Sequence, residues 1–269
     1  MIRDFTPRLY QQTLLGLAVK SNSLIVLPTG LGKTAIAFLL AVQRLSHYPD
    51  SKILMLAPTK PLCEQHQNSF RKHLKIPEEN IVVFTGAINP TKRQELWKNA
   101  QIVISTPQGL ENDLINGRIK LDDTSLLVFD EAHHATGDYS YVWIAERYMK
   151  TAKQARILAL TASPGSDLEK IEEVCKNLHI ENVEVKTDKD VDVKPYIKKT
   201  HVDWIGVDFP KEYKIVHNAL LKLKEEKLKH LGLLGVKFQR IPGKGELLKT
   251  QGMLRSQLSQ GTDFEIMKA

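Results

Sequence analysis

The sequence predicts an α/β fold built on a mostly parallel, doubly wound sheet, followed by a smaller helical segment. Seven short apolar, β-branched runs alternate with segments of helical periodicity. Each run is almost continuously hydrophobic at its centre, which is typical of strands that are covered by helices on both faces. The predicted strands are 23–27, 52–57, 80–84, 101–105, 125–129, 156–160 and 182–186. Ligands of such folds bind at the carboxyl ends of the strands.

Helix starts are predicted where a capping side chain precedes a proline. The side-chain oxygen can accept an N–H of the first turn, and proline suits the first helical position because its missing N–H is not needed there. Three pairs have this order: Thr6-Pro7, Asn89-Pro90 and Thr106-Pro107.

The alternation of strands and helices ends near residue 187, which predicts three regions. Residues 1–186 form the α/β domain. Residues 187–209 form a charged linker with a possible extra strand over 201–207. Residues 210–269 form a partial helical domain, with a last short helix over 246–258. Its first helix is indicated by apolar residues at helical spacing, which are Tyr213, Val216, Leu220 and Leu223.

The composition is that of an ordinary globular protein, with 42% hydrophobic and 26% charged residues. The longest apolar runs fall far short of the roughly 20 residues of a membrane-spanning helix, and the first ten residues lack the apolar core of a signal peptide. Cys63 and Cys175 lie far apart, which predicts two free thiols in a reducing compartment. We therefore expect a cytoplasmic protein with no membrane partner.

The net charge of +7 is unevenly distributed. Residues 186–269 contain 17 Lys and Arg against 11 Asp and Glu, whereas residues 1–185 are nearly neutral. A basic segment on a neutral domain suits a polyanion such as nucleic acid. A lysine-rich face in contact with water explains the same pattern, and charge alone favours that simpler explanation.

The segment LIVLPTGLGKT at 24–34 is the most informative in the chain. A predicted strand runs into a glycine-containing turn that opens a helix, and the N–H groups of such a turn bind triphosphate oxygens. Lys33 is spaced to reach the β- and γ-phosphates of ATP, and the Thr34 hydroxyl to bind Mg²⁺. The general pattern GxxxxGK[ST] has glycine where this chain has Leu27, so the match is to the variant PTGxGKT. The predicted ATP-binding residues here are Leu27, Pro28, Thr29, Gly30, Leu31, Gly32, Lys33 and Thr34.

Two carboxylates follow another predicted strand, in the segment LLVFDEAHH at 126–134. Mg²⁺ prefers hard oxygen ligands, and Asp130 fits that role. Glu131 is placed to orient or deprotonate the attacking water, a task worth roughly 10²–10⁴ in rate. With Lys33, these are the predicted catalytic residues. His133 is a candidate sensor of the γ-phosphate, whereas His134 has no such argument and is assigned a structural role.

Three motifs together resemble motifs I, II and III of the superfamily 2 helicases. They are PTGLGKT, DEAH and LTASPG (160–165), in the family's order and on successive predicted strand ends. The resemblance implies a RecA-like P-loop NTPase fold with ATP and Mg²⁺ as cofactors. It also implies that Thr161 and Ser163 couple nucleotide state to nucleic-acid binding, together with His133. The segment R-x-Y-Q at 8–11 resembles the element ahead of motif I, so Arg8 and Gln11 are assigned to ATP, with Gln11 reading the adenine.

Further segments resemble the elements that grip the nucleic-acid backbone in this superfamily. They are APTKPLCEQH (57–66), VFTG (83–86) and STPQ (105–108). The residues implied to contact DNA are Thr59, Lys60, Thr85, Gly86, Thr106, Pro107 and Gln108. Thr59 is also expected to cap the helix that follows it. Contacts of this kind set affinity and register but carry no base-sequence information.

Three segments are similar in sequence to the corresponding segments of archaeal Hef and eukaryotic FANCM. These segments are STPQGLENDL, DEAHHATGDYSYV and LTASPGSD. The RIG-I-like and Dicer helicases share LTASPG but diverge around ENDL and GDYSY. The resemblance covers residues 3 to about 200, and the residues beyond look like the entry to a helical insertion between two motor domains. It implies an ATP-dependent helicase or translocase acting on branched DNA, such as forks and Holliday junctions, in repair or fork restart.

Helicases of this type use a second RecA-like domain, whose arginine finger completes the ATP site. No second motor pattern follows in these 269 residues. We therefore expect the chain to bind ATP and Mg²⁺, to hydrolyse ATP slowly and to unwind nothing by itself. Two alternatives stay open: a non-enzymatic fragment that binds branched DNA or a partner, and a double-stranded-RNA helicase of the RIG-I/Dicer branch.

Overall fold

The computed structural model describes residues 1–163, 168–197, 203–233, 235–236, 238 and 242–259. Within these ranges seven strands form one sheet, and every pairing between them is parallel. The strands are β1 (Ser23–Val26), β2 (Lys52–Leu56), β3 (Ile81–Phe84), β4 (Ile102–Ser105), β5 (Thr124–Phe129), β6 (Ile157–Thr161) and β7 (Asn182–Val185). Their order across the sheet is β3-β4-β2-β5-β6-β1-β7. The predicted doubly wound α/β sheet is confirmed.

Helices cover both faces of the sheet. The helices that lie between residues 9 and 177 are α1 (Leu9–Ala18), α2 (Lys33–His47), α3 (Lys60–His73), α4 (Pro90–Asn99), α5 (Pro107–Ile115), α6 (Ser140–Thr151) and α7 (Leu168–Asn177). Alternate strand residues face opposite ways, so each of the strands β1 to β6 contributes to two cores. One core joins the sheet to α1, α2 and α3, and the other joins it to α4, α5, α6 and α7.

All seven predicted strands are present, and no strand end differs from its predicted position by more than one residue. The apolar runs predicted them well because the six strands β1 to β6 are almost entirely buried. β7 lies at the edge of the sheet, and most of its side chains are exposed.

The three predicted helix starts have different outcomes. Asn89 caps α4, because its side-chain oxygen accepts the Thr91 N–H at 2.9 Å. Thr106 precedes α5 as predicted, but its side chain makes no capping hydrogen bond. The start at Thr6 is wrong: α1 begins at Leu9, where the Gln11 side chain accepts the Arg8 N–H at 3.0 Å.

A buried asparagine ties the amino end of β1 to two neighbouring segments. Asn22 is 3% exposed. Its side-chain oxygen accepts the Ile157 N–H at 2.9 Å, and its amide donates to the His179 carbonyl at 3.0 Å. Its backbone carbonyl accepts from the first residues of the β7 segment. One side chain therefore satisfies backbone groups that would otherwise be buried without partners.

The chain divides into two compact units, Met1–Lys199 and Thr200–Ala269. Residues 187–197, which the sequence predicts as linker, belong to the first unit, and Val193 is fully buried in its core. The possible strand over 201–207 is not seen: residues 203–207 form no strand, and residues 201–202 lie outside the described residues.

The second unit contains α8 (Lys211–Leu233) and α9 (Lys244–Ser259), so both helices predicted there are present. The apolar side chains that predicted α8 are exposed, with Tyr213 at 66% and Leu220 at 61%. Among the described residues, no helix is both long enough and apolar enough to cross a bilayer.

Candidate functional site

The predicted site residues divide between two adjacent halves of one sheet edge. Arg8 and Gln11 lie at the start of α1, ahead of β1, and the other segments assigned to ATP and to coupling follow β1, β5 and β6, which are neighbours in the sheet. The segments assigned to DNA follow β2, β3 and β4, which are neighbours on the other side. All strands are parallel, so every one of these segments emerges at the same edge. The boundary between the two halves runs between β2 and β5.

The glycine turn after β1 is held from behind by α1. Gly30 and Gly32 both have φ of +80°, a region that favours glycine. Between them, the Leu31 carbonyl accepts the Tyr10 hydroxyl at 2.6 Å and the Gln11 side-chain amide at 3.2 Å. These contacts fix the turn against the start of α2. The predicted adenine-reading residue Gln11 is 2% exposed and is bonded to this turn.

Arg8, the other α1 residue assigned to ATP, packs against residues of its own unit. Its guanidinium donates to the Tyr10 hydroxyl at 3.0 Å and lies 4.5 Å from the centre of the Tyr196 ring. Tyr196 was not singled out by the sequence, because it lies in the segment predicted as linker.

Lys33 lies at the first position of α2, directly after the turn. Its ammonium group donates to the Leu27 carbonyl at 2.9 Å, and it forms no ion pair with any described residue. Burial lowers the pKa of Lys33, while the nearby Glu131 and Asp130 charges oppose that shift. A partly desolvated ammonium beside free helix N–H groups is a favourable partner for a phosphate.

Asp130 is joined to the glycine-turn segment through a residue that sequence reasoning missed. Its carboxylate accepts the His66 Nε2–H at 2.7 Å, and the other ring nitrogen of His66 lies 3.4 Å from the Thr34 hydroxyl. The Asp130 backbone is held as well: its N–H donates to Leu56, and its carbonyl accepts the Tyr141 hydroxyl at 2.8 Å. His66 ends the segment APTKPLCEQH, seven residues after Thr59 and so two helical turns along.

The predicted coupling residues form a hydrogen-bonded chain. His133 Nδ1 lies 3.1 Å from the Thr161 hydroxyl, which donates to the Ser163 carbonyl at 2.8 Å. Since that hydroxyl proton is used on Ser163, we assign a proton to His133 Nδ1. Residues 164–165 of the same motif lie outside the described residues.

Glu131 stands in the left-handed region with φ of +49°. Non-glycine residues rarely adopt this conformation, which costs about 1–3 kcal/mol and is concentrated at functional sites. Its carboxylate lies 3.3 Å from His133 Nδ1. His134 instead stacks on Tyr139, with ring centres 5.4 Å apart, as expected of a structural residue.

The residues that are predicted to contact DNA differ in their exposure to solvent. Thr59, Lys60, Gly86 and Gln108 are exposed, Thr106 is half-buried, and Thr85 and Pro107 are buried. The two buried residues, Thr85 and Pro107, are therefore largely inaccessible to a ligand. Thr59 precedes α3 as predicted, but the expected capping bond from its side chain is not formed.

A buried ion pair supports the turn that follows β3. Arg93 of α4 donates to Asp113 of α5 through two nitrogens, one of them at 2.9 Å. The same guanidinium donates to the backbone carbonyls of Thr85, at 3.3 Å, and Ile88. Arg93 is 5% and Asp113 0% exposed. The two predicted DNA-contacting segments after β3 and β4 are therefore held by one charged network that the sequence did not reveal.

The residues at this edge fit a magnesium nucleotide. Thr34 and Asp130 supply one hydroxyl and one carboxylate, both hard oxygens, from the two sides of His66. The described residues contain no group of three or more His, Cys, Asp or Glu that could cage a metal. Two protein ligands suit Mg²⁺, which usually keeps several waters and binds substrate phosphates.

A cavity of about 430 Å³ lies elsewhere, at the opposite edge of the sheet. Its lining includes Ser51, Thr124 and Lys153, which lie at or near the amino ends of β2 and β5 and close to the carboxyl end of α6. None of the predicted site residues lines it. Ligands of open parallel sheets bind at the carboxyl ends, so we assign the functional site there.

A glycine turn between a buried strand and a helix, facing a carboxylate from another parallel strand, defines a RecA-like P-loop NTPase. Residues 8–171 match the family described as DEAD/DEAH box helicase. The chain belongs to this family of ATP-hydrolysing helicases, and its motor domain is of the Hef/FANCM type within superfamily 2.

The similarity extends to solved and curated relatives. The crystal structure of the Pyrococcus furiosus Hef helicase domain has a TM-score of 0.74 and 44% identity, covering 95% of this chain and 55% of that one. A Methanocaldococcus jannaschii protein that carries the name of an ATP-dependent RNA helicase is 48% identical over 85% of this chain and 29% of its own length. The DEAD-box ATP-dependent DNA helicase Fancm of Drosophila melanogaster is 37% identical over 83% of this chain and 15% of its own length. The chain thus spans less than a third of these two curated relatives.

Proposed function

We propose that this chain is the ATP-binding motor domain of a DNA helicase or translocase that acts on branched DNA in repair or fork restart. The observation that carries the proposal is that the segments assigned to the nucleotide and those assigned to nucleic acid emerge side by side at one edge of a parallel sheet. The name of the Drosophila melanogaster relative, a DNA helicase, supports DNA as the substrate. Such a substrate would place the protein at the chromosome.

The residues of the nucleotide half have separable roles in this proposal. The N–H groups of the turn and Lys33 hold the phosphates, and Thr34 with Asp130 would hold Mg²⁺. When bound, the ion neutralises phosphate charge and orients the transferred group. Glu131 orients the attacking water. The chain from His133 through Thr161 to Ser163 transmits the state of the nucleotide because it spans the ends of β5 and β6.

We further propose that full activity needs a second RecA-like domain. An arginine supplied by another domain is worth on the order of 10³–10⁵ in related phosphoryl transfer. The chain by itself would then hydrolyse ATP slowly and leave forked duplexes paired. Helicase-like unwinding by the 269-residue chain would contradict this part of the proposal.

The experiment compares ATP hydrolysis with forked, single-stranded and blunt duplex DNA, with and without a second motor half supplied in trans. Stimulation that is strongest with forked DNA supports the proposal. Lys33→Ala is expected to abolish nucleotide binding and turnover while leaving DNA affinity unchanged. A wild type that neither binds nor hydrolyses ATP, with a DNA affinity that Lys33→Ala leaves unchanged, would instead favour a non-enzymatic fragment that binds DNA or a partner.

A second candidate function is that of a motor on double-stranded RNA. It is favoured by the name of the Methanocaldococcus jannaschii relative, an ATP-dependent RNA helicase. Proteins read A-form RNA through its wide minor groove and its 2′-hydroxyls, which B-form DNA lacks. Direct competition between RNA and DNA duplexes of the same sequence separates the candidates. Preference for the RNA duplex would overturn the DNA assignment.

A further inference from the structure

His66 lies at the boundary between the nucleotide and nucleic-acid halves of the site. It belongs to α3, which follows β2, and it is 4% exposed. Its Nε2 lies 2.7 Å from the Asp130 carboxylate, and its Nδ1 lies 3.4 Å from the Thr34 hydroxyl. The imidazole therefore bridges the two residues to which we assign Mg²⁺.

The partners of the ring determine which groups donate. An ionised carboxylate only accepts hydrogen bonds, so Nε2 carries a proton and donates to Asp130. With the proton on Nε2, a neutral ring leaves Nδ1 as an acceptor for the Thr34 hydroxyl. A hydroxyl that donates its hydrogen bond to Nδ1 keeps its oxygen lone pairs for another ligand. The 3.4 Å separation lies at the long end of hydrogen bonding.

We propose that His66 is a positioning residue of the magnesium site. It holds the Asp130 carboxylate in place and accepts a hydrogen bond from the Thr34 hydroxyl, so that both side chains would be oriented to bind the ion. The inference rests on the proposed function, because it needs Mg²⁺ at these two residues. Partners that orient metal ligands in this way are worth about 10–100-fold in metal affinity.

A structural role alone predicts a different pattern of substitutions. Glutamine can reproduce both bonds, since its side-chain oxygen accepts and its amide donates. Leucine fills a similar volume but makes neither bond. His73→Leu is a matched control, because His73 lies two turns further along α3 and packs against the rings of Phe5 and Phe38.

The test measures the binding of a fluorescent ATP analogue to the full chain, first in EDTA and then across a Mg²⁺ titration. His66→Leu is expected to raise the Mg²⁺ concentration at half-saturation by about 10–100-fold, with unchanged affinity in EDTA. His66→Gln is expected to stay within about threefold of the wild type, because it keeps the two bonds. The His73→Leu control is expected to match the wild type. Binding of Mn²⁺, followed by its electron paramagnetic resonance, gives a second readout that is independent of hydrolysis.

The outcomes separate this inference from the proposed function. If the wild type binds the analogue equally well with and without Mg²⁺, the proposed magnesium site is wrong and the role of His66 fails with it. If the wild type depends on Mg²⁺ and His66→Leu has the same midpoint, only the role of His66 is overturned. Should His66→Leu fail to fold, His66→Gln decides: a midpoint shifted as far as the leucine prediction would refute the proposed bonding pattern.

Discussion

Replacing Gly32 with alanine tests the contact between the glycine turn and α1. Gly30 and Gly32 have the same φ of +80° but different surroundings. A Cβ at Gly30 meets nothing within 4 Å, whereas a Cβ at Gly32 would lie 2.6 Å from Nε2 of Gln11. Gly30→Ala is therefore a matched control that carries the backbone strain without the clash.

The two costs can be worked out separately. A left-handed alanine costs about 1–2 kcal/mol, offset by about 0.4–1 kcal/mol from the reduced entropy of the unfolded chain. Gly30→Ala should therefore lower the free energy of unfolding by about 1 kcal/mol. In Gly32→Ala the Gln11 side chain must also move, losing its bonds to the Leu31 carbonyl and the Arg8 N–H. Each of these two bonds contributes about 0.5–1.5 kcal/mol, so their loss should lower the free energy of unfolding by about a further 1–3 kcal/mol.

The assay is urea unfolding of each variant, followed by tryptophan fluorescence, in which the buried Trp97 reports on the core of the motor domain. Adding Gln11→Ala to both glycine variants completes a double-mutant cycle. Without the Gln11 amide, Gly32→Ala should cost no more than Gly30→Ala. The reasoning is refuted if Gly30→Ala is as damaging as Gly32→Ala, or if the Gln11 and Gly32 effects are simply additive.

Three further predictions follow from buried polar groups. Arg93→Met removes the shorter ion pair of the buried Asp113 carboxylate and leaves it only the 3.4 Å contact with Arg118. We therefore expect a loss of up to about 3–5 kcal/mol in urea unfolding, and a loss below about 1 kcal/mol would contradict a stabilising role of the Arg93–Asp113 pair. Asn22→Ala leaves two backbone groups unsatisfied and should cost about 2–6 kcal/mol by the same measurement, at about 1–3 kcal/mol per group, and a neutral result would show that water replaces the amide. Burial raises the pKa of Cys63 to about 12 and also raises that of Cys175, which is only partly covered. The thiolate is the reactive form, and its fraction grows as pH rises towards the pKa. Iodoacetamide at pH 8 should therefore label Cys175 well before Cys63 in the native protein, and both at similar rates in urea. Equal labelling rates in the native protein would refute this prediction.

Sequence reasoning performed best where a feature is local. The seven strands were predicted because each is a short apolar run, and the glycine turn because its residues are contiguous. Helix starts are predicted less well than strands. Thr6 does not cap α1, which begins at Leu9, and the side chains of Thr59 and Thr106 form no capping hydrogen bonds. A capping residue type permits a hydrogen bond, but the neighbouring backbone decides whether the bond is made.

The residues that sequence reasoning missed are those whose roles depend on distant partners. His66 stands in a segment that was singled out, yet its partner Asp130 is 64 positions away. Arg93 and Asp113 come from two helices and carry no motif that joins them. Val193 and Tyr196 lie in a charged stretch whose composition predicts a linker, although they pack on the first unit.

The sequence by itself determined the strand–helix alternation, the phosphate-binding turn and the acidic pair, because each is encoded by neighbouring residues and by periodicity. Only the tertiary structure decided which strand ends are adjacent. The order β4-β2-β5-β6-β1 places the predicted DNA segments beside the nucleotide segments, and it brings His66 between Thr34 and Asp130. Strand order depends on how the whole chain packs its two cores, and no local pattern records it.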